Sequence, residues 1–394
     1  MKNMIDSAKD VIYRAIREDG ILASAYTTDN YNRVWSRDAM MTGIVGQMYD
    51  DATIIDGFKK SIITLAQYQH DNGTIPSNVG KDNLGLPLIS YGTLVGRTDA
   101  TIWWIIGTIS MLSHDIKFHD QFQDFIDTKL TKALGLLEAW EFNNRGLIYS
   151  PLGGNWADEY VTSGYTLYDN VLYLWALELA AVYFDSTVLL EKSKRLRLTL
   201  KVNFDNHYVL KGDEKYYHAS AIEIRKKNLK PYFSAALSPA GFDQRWDMAG
   251  NALALVLQLF DDPNNIVNHI NALMKSQDSM LLPVFYPVIE PDDLDWHLLQ
   301  SNFSYSFKNY PYQFHNGGFW PIFSGWLCYG LRKYNDHNLA NKLMKAYESV
   351  LTISGNKFFE YHDIRNGEAK GVEGLCFSAS GYLLMAMIPK NIMS

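Results

Sequence analysis

The segment DATIWWIIGTISML (99–112) carries no charge after Asp99, whereas DGFKKSIITLAQYQH (56–70), just upstream, spaces its charges between apolar residues. The first pattern predicts a helix buried on most sides and the second an amphipathic helix with one wet face. The same alternation runs through the chain. Amphipathic 4–18 precedes apolar 38–49, 120–140 precedes 166–184, 186–204 precedes 248–260, 264–276 precedes 317–334, and 336–352 precedes 377–388. With 56–70 and 99–112 this makes six pairs, each with an outer and an inner member.

Consecutive helices with short connections pack antiparallel. Six such hairpins predict an inner ring wrapped by an outer ring, an all-α (α/α)6 barrel occupying residues 1–394 as a single domain. An open solenoid would also alternate, but its repeats would be regular and self-similar, and no repeat is found here. Every outer-to-inner connection then opens at the end where the inner helices begin, so one mouth collects six loops.

Composition limits what that mouth binds. The chain has 394 residues, 47% apolar and 20% charged, with a formal charge of -7 from 36 Lys and Arg against 43 Asp and Glu. No basic patch argues for nucleic acid. The first twenty residues lack the continuous apolar run of a secretory signal, and no uncharged stretch is long enough to span a bilayer. A cytoplasmic location without membrane insertion is therefore expected. Cys328 and Cys376 stand alone in apolar surroundings and are read as core, not as a disulfide or zinc site. No cofactor or metal is expected, and a homo-oligomer is left open.

The unusual residues fall in the six connections: Trp35, Arg37 and Asp38 in the first; QHDNGTIPSN (69–78) and GRTDATIWW (96–104) in the second; GGNWADEYVTSGYTLYDN (153–170) in the third. The fourth carries SPAGFDQRWDMAGN (238–251), the fifth YPYQFHNGGFWP (310–321), and the sixth FFEYHD (358–363). Carboxylates, amides and aromatic rings, without a phosphate loop or a GxSxG elbow, suit a small polyhydroxylated sugar. Cleaving a glycoside needs one carboxylic acid to protonate the leaving oxygen and one carboxylate to activate water or attack.

In order, Trp35-Ser36-Arg37-Asp38, Gly73-Thr74-Ile75-Pro76, Asp99 with Trp103, Trp156-Ala157-Asp158 and Glu360 form a set that resembles the (α/α)6 glycoside hydrolases. The amylo-α-1,6-glucosidases of glycogen debranching are similar in the first, second and fourth of these motifs. The neutral/alkaline invertases are similar in Arg37-Asp38, Gly96-Arg97 before a Trp pair, Asp243-x-Arg245 before Gly250-Asn251, His315 to Pro321, and Glu360 to Asp363. The resemblance implies Asp158 as general acid, with Glu159 as its rival, and Glu360 as the base of an inverting reaction releasing a terminal glucosyl unit. It further implies Trp35, Arg37, Asp38, Asp99, Trp103, Trp156, Asp243, Arg245, His315, Asn316 and Trp320 as substrate-binding residues. Where the invertases carry two arginines after the acid, this chain has Glu159 and Tyr160.

Plainer readings stand beside these. Asp38 and Asp99 also suit helix caps, Trp103 sits at helical spacing among core residues, and Glu290, Asp292, Asp293 and Asp295 read as a solvated loop or a lid. Two other functions compete: a sugar epimerase of the N-acylglucosamine 2-epimerase type, which needs two facing histidines, and a sugar-binding barrel without catalysis. Within hydrolysis, sucrose cleavage is the alternative substrate reading.

Overall fold

The computed structural model describes residues 3–389 apart from 27, 28, 94, 240, 278 and 280. The predicted pairs appear in order: α1 (Met4–Ala15) and α2 (Ser36–Met48), then α3 (Ala52–Gln67) and α4 (Thr98–His114), then α5 (Ile116–Ala139) and α6 (Leu167–Tyr183). Next come α7 (Thr187–Phe204), a short α8 (Ala219–Lys226) and α9 (Met248–Val256). They are followed by α10 (Asn264–Ser276), a short α11 (Trp296–Ser301) and α12 (Pro321–Lys333), and finally by α13 (His337–Ile353) and α14 (Cys376–Ala386). The short α8 and α11 lie inside the fourth and fifth connections and carry no long apolar period that would have announced them.

Each inner helix packs on the next in the order α2, α4, α6, α9, α12, α14, and α14 returns to α2. The ring is closed, which excludes the open solenoid and gives the (α/α)6 barrel. Burial follows the sequence pattern. Outer α1 buries only Ala8, Ile12 and Ala15, whereas inner α4 buries nearly every residue from Thr98 to Leu112. Where α12 meets α14 the backbones nearly touch: a Cβ on Gly325 would stand 2.4 Å from the Gly381 carbonyl oxygen. Only glycine permits that approach. Cys328 and Cys376 are buried thiols of this core. Among the described residues no helix is long and apolar enough to cross a membrane.

The ends of the helices differ by layer. Five outer helices begin with a side-chain cap, from Asn3, Asp51, Asp115, Ser186 and Asp336. Four inner helices begin on Trp35, Arg97, Trp320 and Leu375, with no side-chain cap. The first amides of three of them are taken by loop carbonyls instead, Ser36 by Ser77, Thr98 by Gly154 and Cys376 by Ala23, and α12 begins on Pro321, which has no N–H.

The loops at that mouth are joined to their neighbours by backbone pairing, which a purely helical reading does not contain. Val34–Trp35 of the first loop pairs with Asn78–Lys81 of the second, and the Thr98 amide donates to the Gly154 carbonyl, tying second to third. Tyr165–Thr166 pairs with Ala236–Ser238, and Trp246–Asp247 with Phe285–Tyr286, carrying the connection through the fourth loop to the fifth. Bridges from Phe319 to His362 and from Ser24 to Leu375 complete the circle.

Candidate active site

Asp158 is presented by a loop that folds around a buried carboxylate. Asp169, in the first turn of α6, accepts hydrogen bonds at Oδ2 from the Ser150 and Thr166 hydroxyls at 2.6 and 2.7 Å and from Asn155 Nδ2 at 3.0 Å. Asn155 Oδ1 in turn accepts the Ala157 amide, which fixes the backbone one residue before the acid. The Asp158 side chain stays 30% exposed. Arg97, the residue before α4, donates one guanidinium nitrogen to Asp158 Oδ2 and another to the Gly153 carbonyl. A charge-assisted bond of this kind orients the carboxyl strongly.

Glu360 sits opposite in chain order, on the last loop, and is 8% exposed. Its amide donates to the Val372 carbonyl, and its Oε1 accepts the Tyr31 hydroxyl at 2.8 Å. Burial raises its proton affinity above the ordinary glutamate value; the Tyr31 hydrogen bond and the Lys308 ammonium oppose that rise, and Asp38 adds to it. Tyr31 is held protonated by its own burial, then by Glu360, and further by Asp38 and Asp158. The Tyr31 hydroxyl therefore bonds one acid, Glu360 of the sixth loop, and feels the charges of two more, Asp38 of the first and Asp158 of the third.

The first loop does not clamp as a simple Arg37–Asp38 pair. Arg37 Nη1 lies 2.9 Å from Asp99 Oδ2, while its Nε is 3.9 Å from Asp38. Asp99 Oδ2 also accepts the Tyr168 hydroxyl at 3.1 Å, which accepts the Trp103 indole N–H at 2.8 Å. Neither Asp38 nor Asp99 caps its helix through its side chain. Asp38, with burial as the main cause, is pushed up to about 6. Arg37 Nε and Asp99 Oδ1 are buried with no hydrogen-bond partner among the described residues.

The aromatic residues separate into two kinds. Trp35 is half-buried at the mouth, with its indole N–H on the Asn30 carbonyl. Trp103 corrects the expectation of a sugar contact: it is fully buried between Trp175 and Trp326, in the core below the cleft. Trp156, His315 and Trp320 pack together, with His315 stacked 3.9 Å from Phe314 and 5.2 Å from Trp320, and edge-on to Trp156. The Trp320 N–H is spent on the Phe314 carbonyl, and both ends of the Asn316 amide are spent on backbone at Ile289 and Asn309. Those two side chains hold the fifth loop in shape. His315 Nδ1 and Trp156 Nε1 remain buried and unpartnered among the described residues. Burial, together with Lys308, Arg37 and Arg97, holds His315 well below the ordinary histidine value, so its imidazole is neutral.

Asp243 and Arg245 form a fork-to-fork pair, with Arg245 Nε 2.9 Å from Asp243 Oδ1 and Nη2 3.0 Å from Oδ2. Arg245 Nη1 reaches Asp295 at 2.9 Å, and the guanidinium lies over the Tyr160 ring. Part of the acidic run is thereby anchored to the rim. Glu159 points its carboxylate differently from Asp158: Oε1 accepts the Ser304 amide at 3.1 Å, and its carbonyl accepts Asn309 Nδ2 at 2.7 Å. Burial raises its proton affinity, against Lys308. Tyr31, Arg97, Tyr168 and Lys308 were not singled out from sequence as site residues. Arg97 and Tyr168 stood inside the motif segments 96–104 and 153–170; Lys308 left no signal of its own. Among the described residues no three metal-ligating side chains gather.

Residues 224–391 match the family described as alkaline and neutral invertase. The chain is 29% identical over 165 residues to neutral/alkaline invertase 1, mitochondrial, of Oryza sativa subsp. japonica, an overlap of 40% of this chain and 25% of that protein. It is 22% identical over 400 residues to alkaline/neutral invertase C, mitochondrial, of Arabidopsis thaliana, covering 87% of this chain and 59% of that one. The chain thus spans a quarter to about three-fifths of the length of these relatives. Among solved structures, the GH63 mannosylglycerate hydrolase from Thermus thermophilus in complex with glucose superposes with a TM-score of 0.68 at 13% identity, over 98% of this chain and 100% of that one. A rhamnosidase from Klebsiella oxytoca superposes at 0.59 and 9% identity, over 96% and 63%. The chain resembles the invertases in sequence and shares the glycosidase barrel in fold.

Proposed function

We propose that this chain is a glycoside hydrolase that releases a terminal glucosyl unit from a small glucoside or oligosaccharide by single displacement. The observation that carries the reading is the Tyr31 hydroxyl bonded to Glu360 on the sixth loop, in a site whose electrostatics Asp158 of the third loop also reaches. Asp158, oriented by Arg97, protonates the leaving oxygen. Glu360, whose ionised form Tyr31 and Lys308 favour against the effect of burial, takes a proton from the attacking water. Arg37 and Asp38, the partly exposed members of the first loop, meet sugar hydroxyls while Asp99 holds Arg37, and Trp35, Trp156 and His315 line the same ring position. Asp243 and Arg245 shape the rim beside the acid.

Sucrose is the second substrate reading, favoured by the invertase match over residues 224–391, which carry His315 to Pro321 and Glu360 to Asp363. The epimerase reading is disfavoured because no second histidine stacks in the His315 cluster among the described residues; His362 packs behind it on Phe319 and Tyr347. Glucose release from sucrose, isomaltose, maltose, trehalose and glucosylglycerate, with the first-formed anomer followed by NMR, tests substrate and stereochemistry together. Asp158→Asn and Glu360→Gln should each lower the rate by about 10²–10⁴-fold. Full activity in both variants would end the proposal.

A further inference from the structure

Asp158 lies in a tight turn. The Tyr160 amide donates to the Ala157 carbonyl at 3.0 Å, which makes Asp158 and Glu159 the two central residues of a four-residue turn. That bond uses the Ala157 carbonyl and leaves the next three, of Asp158, Glu159 and Tyr160, to find donors elsewhere. A strap from the fifth connection supplies them. Between α11 and α12, Asn302 Nδ2 stands 3.1 Å from the Tyr160 carbonyl and 3.4 Å from that of Asp158, and Asn309 Nδ2 stands 2.7 Å from that of Glu159. The Ser304 amide, between them in sequence, donates to the Glu159 carboxylate. Asn309 is fully buried, and its backbone carbonyl accepts Asn316 Nδ2 at 3.1 Å. One residue thus ties the turn that carries the acid to the loop that carries His315.

We infer that Asn309, assisted by Asn302, is a positioning residue for the general acid: its amide sets the turn so that the Asp158 carboxyl meets the leaving oxygen. The inference rests on the proposed hydrolase reading. Arg97 holds the carboxyl itself, and Asn155 holds the amide of the residue before it. The backbone after the acid is held by the strap. If its peptide planes were free to rotate, the Asp158 side chain would swing, and a misplacement of about 1 Å can cost on the order of 10²-fold in rate. Asn309 Oδ1 is left buried and unpartnered among the described residues. That state is unfavourable, and a residue needed only for packing would avoid it with an apolar side chain; the donor at Nδ2 is what the position retains.

The test varies the leaving group. A sugar departs with a proton from the acid, whereas fluoride, the conjugate base of a moderately strong acid, departs with little help. In Asn309→Ala, kcat for a disaccharide that the protein cleaves should fall about ten- to hundredfold, with KM held. For the glucosyl fluoride of the same anomer, kcat should stay within about threefold of wild type. Asn302→Ala, at a half-buried position, should show the same selectivity more weakly. It carries the test if loss of the buried Asn309 side chain prevents folding, which the melting temperature reports. An equal loss on both substrates marks a merely structural role and overturns the inference, as does no loss on either; both results leave the hydrolase reading standing. A wild-type protein that hydrolyses neither substrate ends that reading, and this inference with it.

Discussion

The Tyr31 hydroxyl stands 2.8 Å from Glu360 Oε1, across 329 positions of chain. It joins the first loop to the last where the ring closes. The bond favours the ionised carboxylate and so opposes the rise that burial imposes. In Tyr31→Phe the acid limb of the pH profile for kcat/KM should move to higher pH. The rate at its optimum should fall about tenfold or more, in line with about 1.5–3 kcal/mol for a hydrogen bond to a charged group. An unshifted limb means that Glu360 is not the group titrating there.

Lys308 acts on the same carboxylate without a salt bridge. Its ammonium lies 4.8 Å from the Phe314 ring and lowers the proton affinity of both Glu360 and Glu159. The other titratable groups facing Glu360 are Tyr31, Asp38 and Tyr361. Lys308→Met should therefore raise the pH at which Glu360 ionises, and Lys308→Arg should hold it near wild type. Carbon-13 titration of the Glu360 carboxyl reads this without turnover.

Gly371 has φ +76° and faces Glu360: a Cβ there would stand 2.2 Å from Oε2. Gly371→Ala must both strain the backbone and push the carboxylate aside. Activity should fall about 10²-fold, as expected for a displaced catalytic group, with a stability loss of about 1–3 kcal/mol. Melting temperature and single-turnover rate measured on the same sample separate the two effects.

Asp158 and Glu159 are distinguished by their partners. Because Glu159 Oε1 accepts the Ser304 amide, Glu159→Gln keeps an acceptor there and should retain activity to within about tenfold. Asp158→Asn should not. A reversed pattern would assign the acid to Glu159.

Asp247 caps α9 through the Gly250 amide, and burial raises its carboxyl from the ordinary 3.8 to about 7. Between those values the folded chain binds more protons than the unfolded one. Its contribution therefore weakens stability as pH rises through that window. Asp247→Asn, which still caps the helix, should lose less melting temperature between pH 5 and pH 8 than wild type. A parallel decline in both would show that Asp247 is not the group responsible.

Hydrophobic period made the twelve barrel helices legible because each inner helix is apolar all round and each outer helix is not. The same signal read Trp103 as core, where it lies; it was the resemblance that placed it among the sugar contacts. Asp158 and Glu360 were singled out through motif order. Their supports were not: Arg97 reaches Asp158 across 61 positions, and Tyr31 reaches Glu360 across 329. Lone polar residues give no period. Nor do two-residue strands, so the pairing that ties the six loops together could not be read in advance.

The bare starts of the inner helices carry a cost for the chemistry proposed here. Each helix N-terminus projects roughly half a positive elementary charge, and several converge on a place where an oxocarbenium-like transition state must form. A scaffold of this kind opposes the positive charge of its own transition state. Asp38 and Asp99, in the first turns of α2 and α4, lie where that repulsion originates, as built-in counterions. Barrels of this design should tolerate loss of sugar contacts more readily than loss of negative charge at those two helix starts.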